Sequence, residues 1–278
     1  MSVLEEKRRL AESIIKKAGP LAVAFSGGAD SSLLLALARE ALGEGVLGIT
    51  VDSPIVPRRE LAAAKALAAS LGVRHIVVPG REMELSEFSS NPRDRCWFCK
   101  RSHLAAMLEA GRKEGFPALV HGANADDSMD YRPGLLAAKE MGIAAPLAEA
   151  GLTKAEIREI SRSMGLSTWN KPSSACLASR IPTGSPITAE KLSAVEKAED
   201  FLHDLGIGQL RVRHHGDTAR IEVTEADFPR FKDPLFRACV ADFLESVGFI
   251  YSAIDLKGYR TGSLNRPIDS INNISDSQ

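Results

Sequence analysis

The stretch LAVAFSGGADSSLLLALAREA, residues 21–41, joins two apolar runs through a short glycine-rich loop. The run Leu21–Phe25 predicts a buried strand, and Ser31–Ala41 predicts a helix that is buried on nearly all sides. The loop between them contains two adjacent glycines, which let the backbone fold closely around an anion. Serine hydroxyls, backbone N–H groups and the start of the helix all point at that place. The stretch therefore predicts an anion-binding strand–loop–helix unit that is neither a Walker A loop nor a GxGxxG turn.

Strand and helix patterns alternate through the first 165 residues. The predicted strands are Leu21–Phe25, Val46–Val51, His75–Val78 and Ala118–Val120. The predicted helices are Ser31–Ala41, Pro57–Leu71, Cys99–Gly111 and Thr153–Met164, the last beginning with capping-box spacing. This alternation predicts an α/β fold with a parallel sheet covered on both faces, in which ligands bind at the carboxyl ends of the strands.

The pattern changes after residue 183. Helices over 189–205 and 234–247, with strands over 209–214, 219–223 and 249–254, predict a smaller C-terminal α+β domain. Cys239 falls on the apolar stripe of the second of these helices, which favours a core position. We expect domain boundaries at 1–183 and 184–268, a cysteine-bearing loop over 170–186, and a disordered polar tail over 269–278.

Composition limits the classes of partner. Thirty-five basic and 36 acidic residues leave a net charge of -1, which gives no general attraction to nucleic acid or to a membrane surface. The longest run without Asp, Glu, Lys or Arg has 12 residues, Ala18–Ala29, whereas a membrane-spanning helix needs about 18. The charged amphipathic N-terminus does not resemble a signal peptide. We therefore expect a cytoplasmic protein whose four cysteines stay reduced.

The loop resembles that of the PP-loop (N-type ATP pyrophosphatase) superfamily, whose signature SGGxDS follows the first strand. The resemblance implies that ATP is cleaved between its α- and β-phosphates, with Mg²⁺, and that AMP passes to an oxygen of the substrate. It also implies which residues hold the pyrophosphate: Ser26, Gly27, Gly28, Asp30, Ser31 and Ser32. Asp30 could also help to hold the metal or cap the helix, and the two roles are compatible.

Two further strand ends carry polar residues. The segment HGANADD, residues 121–127, follows the strand at Ala118–Val120, and similar GxNxxD segments lie near the nucleotide in PP-loop enzymes. Asn124 and Asp127 are therefore candidate nucleotide-binding residues, although the same letters also suit a simple Asx-rich turn. Asp52 ends the second strand, where related enzymes hold the adenosine.

Several segments together look like the LarE family, ATP-dependent sulfur transferases that build the nickel-pincer nucleotide cofactor. They are the SGGADSS loop, residues 124–127, residues 131–134 (YRPG), residues 171–182 (KPSSACLASRIP), and the pair Arg211 and Arg213. The resemblance covers residues 1 to 265. It implies that the carboxylate of a pyridinium mononucleotide is adenylated and becomes a thiocarboxylate, in a homo-oligomer whose C-terminal domain binds the substrate phosphate.

The cysteines depart from the usual LarE pattern. In well-known members a single cysteine at the position of Cys176 gives up its own sulfur, whereas Cys96 and Cys99 add a CxxC pair here. Three thiolates on a 4Fe–4S cluster leave one iron able to bind hydrosulfide, so sulfide or another sulfur donor could recharge the site. A sacrificial Cys176, a zinc site, a redox pair and buried thiols remain alternatives. A PP-loop transfer-RNA thiolase is the rival function.

Other residues could complete the substrate site. Arg211 and Arg213 are two apart on a predicted strand, so both face the same way and could grip a phosphate, or else form a solvated strand face. Trp97 and Arg180 flank the site cysteines, and the indole could stack on a pyridinium ring or simply pack. Glu199 lies on the helix before this strand and could belong to the same site.

Overall fold

The computed structural model describes residues 2–129, 133–172 and 175–260. These residues form two compact units, and the chain divides between Ala175 and Cys176. Part of the LarE-like motifs (Tyr131, Arg132, Ser173 and Ser174) and the tail predicted over 269–278 lie outside the described residues. None of the helices that the structure describes has the length and apolar character needed to cross a membrane.

The first unit contains a four-stranded parallel sheet with the strand order β3-β2-β1-β4. Its strands are β1 (Leu21–Ala24), β2 (Val46–Asp52), β3 (Arg74–Pro79) and β4 (Ala118–His121). Its helices are α1 (Val3–Ala18), α2 (Ala29–Leu42), α3 (Arg58–Ser70), α4 (Ser86–Ser89), α5 (Arg95–Lys113), α6 (Pro133–Glu140), α7 (Pro146–Glu149) and α8 (Lys154–Ser163). The predicted parallel α/β domain is confirmed.

Alternation along β1 divides the core of this unit between the two faces of the sheet. Leu21 and Val23 pack with the buried leucines of α2, whereas Ala22 and Ala24 pack with Leu104 and its neighbours on α5. Successive side chains of a strand point to opposite faces, so a central strand covered on both faces must be apolar throughout. All four residues of β1 are buried, as the unbroken apolar run predicts.

Helix α5 begins earlier than predicted. It starts at Arg95, so Cys96 and Cys99 both lie inside its first turns, whereas the sequence predicted a start at Cys99. The buried residues of this helix are Leu104, Met107 and Gly111, so its first turns have no buried apolar face for the sequence pattern to show. The predicted capping box of α8 is confirmed, since Thr153 and Glu156 each bond the other's backbone N–H.

The second unit is the predicted small α+β domain. It contains β5 (Leu210–His215), β6 (Thr218–Val223) and β7 (Tyr251–Ile254), with helices α9 (Ala189–Asp204) and α10 (Pro234–Ser246). Strands β5 and β6 are antiparallel, and β7 pairs in parallel with β6. The expectation for Cys239 is wrong: Val240 and Leu244 form the buried face of α10, and the Cys239 side chain is exposed.

Candidate active site

The loop after β1 is held by its own serines. Ser31 Oγ lies 3.1 Å from Ser26 Oγ and 3.2 Å from the Gly28 carbonyl oxygen. Ser32 Oγ donates to the same carbonyl at 2.7 Å. Gly28 is the N-cap of α2 and receives no side-chain cap, so the N–H groups at the start of α2 stay available to an anion.

Gly27 must be glycine for two reasons. Its φ of 69° lies in the left-handed region, and a Cβ atom placed on it would come within 3.0 Å of Ala64 Cβ on α3. The bare backbone at this position lets the loop close tightly between β1 and α3. The strand–loop–helix unit that the sequence predicted is therefore present.

A cavity of about 290 Å³ lies at the carboxyl ends of the parallel strands, close to the lower limit of about 300 Å³ for ligand pockets. It is bounded by the loop, the ends of β2 and β4, and one side of α5. The polar residues that line it include Ser26, Asp30, Thr50, Lys100, His121 and Asp127. The predicted loop and the predicted segment after β4 thus meet at one cavity.

Asn124 and Asp127 form an Asx turn and also belong to this edge. Asn124 Oδ1 accepts from the backbone N–H of Asp126 at 3.0 Å, and Asp127 Oδ2 accepts from the N–H of Asn124 at 3.0 Å. Asp127 lines the cavity and Asn124 is buried beside it. Asp52, at the end of β2, is half-exposed and paired with Arg58.

Lysines that sequence reasoning missed surround the loop. Lys154, the first residue of α8, places Nζ 2.7 Å and 2.6 Å from the two carboxylate oxygens of Asp30. Lys171 donates to the Gly27 carbonyl at 3.0 Å and pairs with Glu60 at 2.7 Å. Both lysines are distant from the loop in sequence, so only the fold brings them to it.

Burial affects two basic groups that line the cavity. It lowers the pKa of Lys100, which makes no hydrogen bond or ion pair with the part of the chain that the structure describes. Burial, with the nearby charge of Lys100, also lowers the pKa of His121 to about 4, so this imidazole is neutral at pH 7. A desolvated amine beside a neutral imidazole favours an anionic ligand.

Gly122 brings the end of β4 against the start of α2. A Cβ atom on it would lie 2.9 Å from Ser31 N and 3.0 Å from Ser31 Cα, contacts with backbone that cannot rotate away. We expect Gly122→Ala to lower the free energy of unfolding by about 1–3 kcal/mol and to weaken MgATP binding, because the start of α2 must shift. Urea denaturation and titration calorimetry measure the two effects.

Gly208→Ala is the control, since a methyl group there meets nothing within 4 Å. A Gly122→Ala protein that matches the control in both measurements would show that the two segments are not tightly coupled.

Cys96, Trp97 and Cys99 lie together on α5. Cys96 is exposed and Cys99 half-buried. Trp97 Nε1 donates to Glu140 of α6 at 3.0 Å, and the guanidinium of Arg101 lies 4.9 Å from the centre of the indole ring. Within residues 2–129, 133–172 and 175–260, no three His, Cys, Asp or Glu side chains are grouped closely enough to hold a metal ion.

In the second unit, Arg180 organises the backbone that carries Cys176. Arg180 is almost fully buried and forms two 3.0 Å hydrogen bonds with the carboxylate of Glu199. It also donates to the main-chain carbonyl of Cys176 at 2.9 Å, and Ser179 Oγ donates to the same oxygen at 2.7 Å. Glu199 in turn accepts from the N–H of Val212 on β5 at 3.0 Å, which ties α9 to the sheet.

Arg211 and Arg213 adjoin this cluster. Arg213 is buried, donates to the Ser179 carbonyl at 3.0 Å and pairs with Glu222 at 2.8 Å, so it is not part of a solvated face. Arg211 lies 5.1 Å from the centre of the Tyr259 ring. Burial, with repulsion from the neighbouring charge of Arg180, lowers the pKa of Arg211. Cys176 belongs to this unit and Cys96 and Cys99 to the first, so the convergence of three thiols stays a prediction.

Comparison with known proteins identifies the family. The asparagine synthase family model matches residues 8–108, which include the loop. The pyridinium-3,5-bisthiocarboxylic acid mononucleotide synthase of Lactiplantibacillus plantarum is 35% identical over 272 residues, covering 95% of this chain and 96% of that protein. The chain belongs to the LarE family. It is an adenylating enzyme of the PP-loop superfamily.

Two further relatives of this LarE family chain differ in how much of it they match. An uncharacterised protein of Synechocystis is 40% identical over 244 residues, covering 88% of this chain and 91% of the relative. The argininosuccinate synthase of Halobacterium salinarum is 32% identical over 155 residues, covering 49% of this chain and 37% of the relative. The first similarity extends through both units, whereas the second is confined to part of the chain.

Proposed function

We propose that this chain adenylates the carboxylate of a pyridinium mononucleotide and converts it to a thiocarboxylate. The similarity to the Lactiplantibacillus plantarum synthase along nearly the whole chain is the observation that carries this proposal. A carboxylate oxygen is a poor leaving group, and adenylation turns it into part of an acyl–phosphate anhydride, from which sulfur can displace AMP. The cavity at the sheet edge, with its anion-binding loop, is consistent with the first of these steps.

The reaction consists of two substitutions. In the first, a carboxylate oxygen of the substrate bonds to the α-phosphorus of ATP as pyrophosphate leaves. The loop serines and the start of α2 hold the departing pyrophosphate, and Mg²⁺, when bound, neutralises its charge. Asp30 lines the cavity, and its carboxylate, which pairs with Lys154 in this structure, is the kind of ligand that Mg²⁺ prefers. In the second, sulfur bonds to the acyl carbon as AMP leaves, and Arg211 and Arg213 hold the substrate phosphate.

For sulfur delivery we propose a 4Fe–4S cluster on Cys96, Cys99 and Cys176. Two of the donors support this proposal, because Cys96 and Cys99 are three residues apart on α5; the approach of Cys176 to them stays a prediction. Such a cluster supplies an iron position that can bind hydrosulfide. Direct donation of the Cys176 sulfur is the alternative route. Trp97 would face the pyridinium ring near these thiols, and Arg180 fixes the Cys176 backbone.

We further propose that the enzyme works in the cytoplasm as a homo-oligomer. Reduced thiols are stable in that compartment, and sulfide or a protein sulfur donor can restore the cluster there. The net charge of -1 disfavours transfer RNA as the substrate, because RNA binding depends on clustered basic residues.

The proposal is tested with purified protein, MgATP, sulfide and a pyridinium-3,5-dicarboxylate mononucleotide under anaerobic conditions. We expect pyrophosphate release that depends on this substrate, and a product whose mass shows oxygen replaced by sulfur. The analogue without carboxylates is the matched control and should release no pyrophosphate. Pyrophosphate release that needs transfer RNA instead of the mononucleotide would overturn the proposal.

A further inference from the structure

A buried carboxylate–histidine pair lies directly behind Cys99. Glu82, which follows β3, has no solvent exposure, and its Oε2 lies 2.7 Å from His103 Nε2. His103 comes one helical turn after Cys99 on α5, so both side chains occupy the same face of the helix. Cys99 Sγ lies 3.8 Å from His103 Nε2 and 4.0 Å from Nδ1, within the range of contacts to sulfur.

The pair is itself held in place. Ser53, after β2, donates its hydroxyl to the other oxygen of Glu82 and is almost fully buried. Gly80 makes room for the arrangement, because a Cβ atom there would come within 2.6 Å of Glu82 Oε2 and 2.7 Å of Ser53 Cβ. A carboxylate with no access to water is costly unless it is hydrogen-bonded, so this construction orients the imidazole.

We propose that His103, oriented by Glu82 and Ser53, is a positioning residue that hydrogen-bonds the Cys99 sulfur and thereby stabilises the metal centre that this sulfur binds. This rests on the proposed function in one respect, namely that Cys99 carries the cluster. Outer-shell groups that hydrogen-bond a metal ligand affect metal affinity, and hydrogen bonds to cluster sulfurs affect the reduction potential.

The two ring nitrogens of His103 have different partners. Nε2 lies 2.7 Å from Glu82 Oε2, so Nδ1, 4.0 Å from Cys99 Sγ, is the ring nitrogen left to hydrogen-bond the sulfur. His103 also lines the nucleotide cavity, so the pair connects Cys99 to the place where ATP binds.

The test uses the full-length protein, reconstituted anaerobically with iron and sulfide. We expect His103→Leu to weaken iron retention against a chelator by about 10-fold or more and to shift the midpoint potential of the cluster to a more negative value. Glu82→Gln should weaken iron retention and lower the midpoint potential as well, but by smaller amounts. Glu109→Gln, which removes an exposed carboxylate from the same helix, is the matched control and should change neither.

His103→Gln guards against a folding defect, because its amide can still donate to sulfur, and it should retain iron better than His103→Leu. If the cluster loads normally and His103→Leu changes neither iron retention nor midpoint potential, the inference is overturned and the proposed cluster stands. Nitrogen hyperfine coupling typical of a bound imidazole would also overturn it, by making His103 a ligand. A wild-type protein that loads no iron would overturn the proposed cluster, and the inference with it.

Discussion

Arg180→Ala should lower the free energy of unfolding of the second unit by about 3–5 kcal/mol, because it leaves the carboxylate of Glu199 buried without its partner. Both side chains of this pair are nearly inaccessible to water, and Glu199 also accepts from the backbone of β5. The substitution removes the donor to the Cys176 carbonyl as well. Urea denaturation, with hydrogen exchange to follow the second unit, measures the loss.

Two companion variants make the result specific. Arg237→Ala removes an exposed arginine whose side chain donates to the backbone carbonyls of Phe231 and Lys232, and we expect a loss of less than about 1 kcal/mol. The double variant Arg180→Met/Glu199→Leu should recover much of the stability, because an apolar pair of similar volume avoids the buried charge. A double-mutant cycle without coupling would refute the account.

Cys176→Ala should abolish thiocarboxylate formation while substrate-dependent pyrophosphate release continues. Both proposed sulfur routes need this thiol. The ATP loop belongs to the first unit, and adenylation does not need the thiol. Product mass spectrometry and a pyrophosphate assay on the same sample separate the two steps. Cys239→Ala, which removes an exposed thiol from α10, is the control and should change neither step.

Cys96→Ala then distinguishes the two routes. If a cluster operates, this variant should lose its brown colour and repeated turnover. Transfer of a single sulfur atom per molecule of Cys96→Ala would show that the sacrificial route still operates without the cluster. Repeated turnover at an unchanged rate in Cys96→Ala would count against the cluster, and thiolation by Cys176→Ala would contradict both routes.

The sequence predicted those parts of the fold that depend on local pattern. The apolar run of β1 predicts a central strand, and Thr153 with Glu156 predicts the start of α8, because each signal lies within a few neighbouring residues. Cys239 was misplaced because an apolar stripe shows which positions could be buried, while packing decides which of them are. The early start of α5 was missed because its first turns bury little.

The candidate site likewise has parts that the sequence predicts and parts that only the fold reveals. The loop and the segment at Asn124 were predicted because each follows a strand directly, and parallel strands end at one edge. Lys154 and Lys171 reach Asp30 and Gly27 across more than a hundred residues. Lys171 begins the LarE-like segment 171–182, but nothing in that segment indicates a contact with the loop. His103 had one usable signal, its position four residues after Cys99, but spacing alone does not reveal the buried Glu82 behind it.

Arg180 and Ser179 both hold the main-chain oxygen of Cys176. These contacts do not involve the sulfur, so we expect a protein alkylated at the Cys176 thiol to keep them. The modification would then be visible as a change in protein mass, with thermal melting the same as before.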